Sequence, residues 1–106
     1  VSQYEELQTT VAAILDLLIE HGDTYVVDRL RGYTERLQER DQTVVQTLLS
    51  EATGSMGSLR DRYLCPTNGD HITVTEERAV NIRLTAMVER LEQQARAALN
   101  MTDVAQ

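Results

Sequence analysis

Four stretches of this chain repeat apolar residues at three- and four-residue spacing, with turn residues between them. This pattern constrains the fold more than any other feature. A 3.6-residue period lines such positions along one stripe of a helix, whereas a strand needs a period of two. In the first stretch Tyr4, Leu7, Val11, Ile14, Leu15 and Leu18 make one broad face, which Leu17 and Ile19 widen toward its end. Ser2 with Glu5 three residues on reads as a capping box. A helix is therefore predicted over about 4–20, closed by His21 and by Gly22 in the left-handed position, with a charged His21 suiting the negative end of the dipole. Asp23 reads as the N-cap of a second helix reaching about Arg40, with Val26, Val27, Leu30, Tyr33 and Leu37 inward. Arg29, Arg31, Glu35, Arg36, Glu39 and Arg40 read as its solvated face, and Gly32, which costs about 1 kcal/mol relative to Ala, as either the mark of a close helix crossing or a tolerated weak spot. The short link predicts that these two helices are antiparallel neighbours.

Asp41 can cap a third, shorter helix carrying Val44, Val45, Leu48, Leu49 and Ala52 inward. The fourth is predicted from Thr75, as N-cap, to about Leu99. Val80, Leu84, Met87, Leu91, Ala95 and Ala98 form its seam, with Ala79, Val88 and Leu99 beside it and Glu92 and Arg96 paired at i, i+4. Asn100 to Gln106 read as a frayed tail. Cys65-Pro66-Thr67-Asn68-Gly69-Asp70 is a dense turn signal between Tyr63–Cys65 and His71–Val74. A small β-hairpin fits it, and so does an ordered loop, because an isolated ribbon is marginal. The expected fold is mainly all-α: one compact domain of four helices over 1–106, with a Gly-rich turn and the hairpin or loop before the last helix.

Residues 54–64, GSMGSLRDRYL, are the only segment whose order looks chosen for something other than helix packing. Gly54 stands where the third helix should stop, and Gly57 allows a second tight bend. Ser58 with Asp61 is a loose capping box leading into a short helical turn through Arg60. Met56 is expected to point inward and pin the loop to the core. Such a turn before a helix start can also present backbone amides to an anion. The candidate binding set is Gly54, Ser55, Met56, Gly57, Ser58, Arg60 and Arg62, although neither GxxxxGK[ST] nor GxGxxG is present.

This segment, ahead of a stretch containing Asn68 and His71, resembles the G-[GS]-M-G-S-[LF]-x-D-x-x-[LIV] signature of a family of small bacterial domains of unknown function. The upstream order is similar too: a helix with Leu17-Leu18, a Gly, a helix, then Val44 to Leu49 leading into the glycines. The chain departs from that pattern in lacking a Trp in its second helix and in carrying Ser55 where a second Gly is common. The resemblance implies a single compact helical domain and no assigned activity.

Composition narrows the chemistry. The 106 residues suit one domain with its own core. The formal net charge is −7, and all ten basic residues are arginine. Without lysine there is no Schiff-base or phosphate-loop lysine. An acidic chain without a basic stripe disfavours nucleic acid, whereas it suits a basic protein partner. No run approaches the roughly 20 apolar residues that span a membrane, and no secretory leader pattern is present. A lone cysteine, Cys65, cannot form an internal disulfide and fits a reducing cytoplasm.

His21, His71, Cys65 and Asp70 match no zinc spacing, so no metal or other cofactor is expected. A Cys65–His71 nucleophile pair lacks a third orienting group, and Pro66 follows the cysteine. Ser55 and Ser58 lack a G-x-S-x-G elbow. No catalytic residue is assigned. The expected function is a non-enzymatic protein-interaction module, conceivably one that neutralises a basic partner such as a toxin. The alternative is a small-ligand or anion-binding domain using the Gly54–Ser58 turn. Self-association through the apolar seam of the last helix is a further expectation.

Overall fold

The computed structural model describes the backbone of residues 2–54 and 56–104, and the side chains of these up to Asn100. It contains four helices, α1 (Gln3–Glu20), α2 (Val27–Gln38), α3 (Gln42–Thr53) and α4 (Val74–Val104), with 3-10 turns at Leu59–Asp61 and Pro66–Asn68. The fold is mainly all-α. At about 1.5 Å per residue, the 31-residue α4 alone accounts for most of the 49 Å long axis.

Side-chain contacts fix the directions. Arg40 at the end of α2 donates to Ser2 Oγ (2.9 Å) and lies over the Tyr4 ring at the start of α1, so these helices run antiparallel. Arg29 and Tyr33 of α2 reach Glu51 near the end of α3. Thr10 of α1 donates to Gln94 of α4 (2.7 Å), while the His71 amide, just before α4, donates to His21 O after α1 (2.6 Å). The arrangement is up-down-up-down, with α4 packed on both α1 and α3. Leu7, Val11, Ile14, Leu18, Leu30, Leu37, Val44, Leu48 and Leu91 are fully buried between them. Burial of each such side chain is worth about 1.5–3 kcal/mol.

Most helix ends follow their local chemistry. Ser2 Oγ accepts from Glu5 N, and Asp41 accepts from Thr43 N. After α1, Gly22 (φ +75°) sits in a Schellman turn made by Asp23 N to Leu18 O and Gly22 N to Ile19 O. A Cβ on Gly22 would also meet the His71 ring at 2.9 Å, so only glycine fits there. The same turn closes α2, but with Arg40 at φ +60° in the glycine position.

Several expectations are corrected. Helix α2 starts at Val27: Asp23 Oδ1 accepts from the Tyr25 amide (3.3 Å), ahead of the helix, and its carboxylate is held by Arg62. Its outer face is not simply solvated, since Arg29 and Arg36 are committed to Glu51 and Asp41. Ile19 is 45% exposed and does not widen the core face, and Ala79 is exposed. Gly32 marks no close crossing, as nothing lies within 4 Å of an added Cβ. The cap of α4 is Thr73: Glu76 N donates to Thr73 Oγ1 (3.2 Å) and Thr73 N to Glu76 Oε1 (2.9 Å), a complete capping box. At its other end α4 continues through Asn100 to Val104 where a frayed tail was expected, while residues 105 and 106 lie outside the described residues. Of the α4 seam, Val80, Leu84, Leu91, Ala95 and Ala98 are buried within the chain.

Two predictions follow from these helix details. Gly32→Ala is expected to raise stability by about 1 kcal/mol, read as a higher urea midpoint at unchanged slope; a loss would mean that a neighbour approaches this face. At Asp41, hydrogen bonds from Thr43 and Arg36 hold the carboxyl below its ordinary value near 3.8. Its contribution is therefore present above that value and lost as pH falls through the lowered one. Melting curves of wild type and Asp41→Asn, recorded from about pH 5 down to pH 2, should converge as pH falls. A constant gap across that range would contradict this assignment.

Candidate functional site

Between α3 and α4 the chain crosses twenty residues, 54–73, with no strand among the described ones. Side chains reaching in from other elements hold this connection. The main anchor is Glu51, 6% exposed and on the inner face of α3, in phase with Leu48 and Ala52. Its carboxylate takes a two-point contact from Arg29, Nε at 2.6 Å and Nη2 at 3.0 Å. It also accepts from Tyr33 Oη (2.9 Å) and from the Leu59 amide (2.9 Å). The Glu51 contact raises the pKa of Arg29, whereas burial first, and then Glu51, pushes that of Tyr33 upward. Arg29 Nη2 also donates to Gly57 O (2.9 Å), tying the turn to α2.

Two further arginines brace the connection. Arg62 makes a two-point contact with Asp23 (3.0 Å twice), a carboxylate 3% exposed, while its guanidinium lies 4.7 Å over the Tyr25 ring. Arg60 donates to Ala52 O (3.2 Å) at the end of α3 and faces Glu92 (3.7 Å) and Glu89 (3.9 Å) of α4. Farther on, Asn81 of α4 treats Leu64 as a strand would: the Leu64 amide donates to Oδ1 (2.8 Å), and Nδ2 donates to Leu64 O (2.7 Å) and Glu77 O (2.8 Å).

Of the residues expected to form an anion site, Met56, Gly57 and Ser58 line one cleft, whereas Arg60 is turned to α3 and α4 and Arg62 to Asp23. Gly54 (φ +97°) caps α3 and Gly57 (φ +81°) makes the second bend, as their order suggested. Ser58 is buried and Leu59 fully so; Ser55 lies outside the described residues. The Gly57 amide, however, donates to Asp61 Oδ2 (3.1 Å) and the Leu59 amide to Glu51. Asp61 thus turns back to Gly57 instead of closing the expected box. Among the described groups, the anions that this turn grips are the chain's own carboxylates. Beside it lies an open cleft of about 310 Å³ lined by Arg29, Tyr33, Ser50, Met56 and Gly57, among others.

Met56 is corrected outright. It is 98% exposed at the tip of the turn, and the apolar residue this segment buries is Leu59. Tyr25 stands nearby, 63% exposed, its hydroxyl 3.3 Å from where a Gly57 Cβ would be.

The second half of the connection is a loop. Pro66–Asn68 form a 3-10 turn and Gly69 (φ +82°) takes the left-handed position. The Cys65 amide donates to Asp70 Oδ2 (3.0 Å), and both main-chain groups of Leu64 are taken by Asn81, so the bonds a hairpin would use are spent. His71 orders this loop through its amide, and its carbonyl meets Nδ1 of the buried His21 (2.8 Å).

The arrangement defines a four-helix domain with an arginine-braced, glycine-rich connection. No protein-family model, no curated protein and no solved structure matches the chain.

Proposed function

We propose that this chain is a non-enzymatic protein-interaction module whose docking point is the Met56 turn. The observation that carries this reading is the 98% exposure of Met56 on a turn whose flanking amides and carbonyl are fixed to Asp61, Glu51 and Arg29. An unbranched thioether held out on a braced turn, with a half-exposed tyrosine beside it, is the kind of anchor that interfaces favour. Little ordering is then left to do on binding.

Charge points to a basic partner. Arg29 and Arg62 beside the turn are matched by buried carboxylates, and Asp61 stands exposed next to it. Helix α1 adds exposed Glu5, Glu6, Asp16 and Glu20 with no arginine of its own. At a net charge of −7 the chain would steer a cationic protein toward it. A toxin-neutralising role in a bacterial cytoplasm fits this charge and the single thiol.

The test places a photoreactive benzophenone side chain at position 56, with the same group at exposed Arg31 as control, in the native host. A discrete basic protein crosslinked from position 56 and not from 31 is expected. Equal labelling from both positions would contradict the proposal. Met56→Ser should weaken that capture while leaving stability within about 0.5 kcal/mol, as for other exposed positions.

The cleft beside Arg29 and Gly57 supports a second reading, binding of a small external anion. Amide titration with phosphate, sulfate and nucleotides separates the two. Saturable shifts confined to 56–62 would favour the anion, and their absence at millimolar ligand would remove it.

A further inference from the structure

We infer that the face of α4 centred on Ile82 pairs with the same face of a second copy of this chain, a surface separate from the Met56 turn and independent of its role. Arg78, Ile82, Thr85 and Glu89 recur at 4-3-4 spacing, which puts them on one line of the helix. All four are exposed, Ile82 by 58%, although it is a large aliphatic residue in mid-helix. Beside this line runs a groove of about 460 Å³ between α4 and the 62–63 segment. Tyr63, its OH fixed to Glu77 (2.9 Å), forms one wall.

The line is self-complementary in one orientation. Two copies of α4 laid antiparallel and centred between Arg83 and Leu84 bring Arg78 of each against Glu89 of the other. The same register sets Ile82 of each over the small Thr85 and Ala86 of the other. A knob and a hole three to four residues apart on one helix are what a two-fold, isologous contact requires. A parallel pairing would instead set arginine on arginine and glutamate on glutamate. Glu89 can add such a partner, since its ion pair with Arg60 is long, at 3.9 Å, and its side chain is 55% exposed. One helical line is a small interface, so the dimer is weak and forms at high protein concentration.

Sedimentation equilibrium at about 0.5 mM protein, a level suited to a weak contact, should give a mass twice the 12.0 kDa of the chain. Arg78→Glu alone and Glu89→Arg alone each create two like-charge contacts and should weaken dimerisation at least about tenfold. Mixed one to one, the two variants restore both ion pairs and should regain the wild-type dimer as a heterodimer. A monomeric wild type at that concentration overturns the inference. So do single variants that dimerise like wild type, or a mixture of folded variants that stays monomeric. If circular dichroism shows either charge variant unfolded, Ile82→Ala decides. It removes an exposed knob without touching the core and should also weaken association about tenfold; dimerisation equal to wild type sinks the model.

Discussion

Glu51→Ala is expected to lower the stability of this domain by about 3 kcal/mol. The change orphans the buried Leu59 amide, which alone costs about 1–3 kcal/mol. It also strips Arg29 and Tyr33 of their shared acceptor. Removing one member of a buried ion pair can cost about 3–5 kcal/mol, but Arg29 is 38% exposed on its side chain and recovers part of this by turning to water. For a domain of this size the melting temperature should fall by roughly 10–20 °C. Glu51→Gln keeps an acceptor while losing the ion pair, and should cost about half as much. Urea melts of the three proteins measure this. A loss below about 1 kcal/mol for Glu51→Ala would mean that the turn does not depend on the carboxylate.

Asn81→Leu should cost about 3 kcal/mol by a different route. Leucine has the same number and branching of side-chain heavy atoms as asparagine, so no cavity opens, yet both main-chain groups of the fully buried Leu64 lose their partner at once. The companion Asn81→Asp separates hydrogen bonding from packing. An aspartate retains an acceptor for the Leu64 amide but points oxygen at two carbonyls, those of Leu64 and Glu77, where Nδ2 now donates. Ionised, it should be at least as damaging as leucine. The fold resists that charge, which raises the carboxyl pKa in the folded state. Stability should therefore recover as pH falls and the protonated form can donate one bond. Equal stability of Asn81→Asp at neutral and mildly acid pH would show that Leu64 does not rely on this side chain.

The helices were legible because their signals are local. The stripe of α1, the Ser2 and Asp41 caps, and the glycines after α1 and α3 depend on residues within a turn of one another. The start of α2 was misread because Asp23 closes only a local turn with the Tyr25 amide, and its other partner, Arg62, lies 39 residues away. For α4 the better signal was present, since Thr73 with Glu76 is a complete box and Thr75 has Arg78 at that spacing. Glu51 could have been flagged as a charge in phase with Val44, Leu48 and Ala52, but its partners could not. Arg29 comes from a helix face that reads as solvated, and the Leu59 amide from a turn whose path the local sequence does not fix. Of Met56 and Leu59, local sequence does not say which is buried; the Leu59 amide bound to Glu51 does.

Among its described residues the connection between α3 and α4 has no strand ladder; a few local bonds aside, it is held by clamps borrowed from α2, α3, α4 and the link after α1. Each clamp needs its helix already in place, so during folding this segment docks late, after the helices have met. Glu51 and Asn81 then contribute little to the rate-limiting step of folding and much to how long the native state survives. Their replacement should appear mainly as faster unfolding, with the refolding rate nearly untouched. A protein built this way can release its Met56 turn briefly while its bundle stays closed.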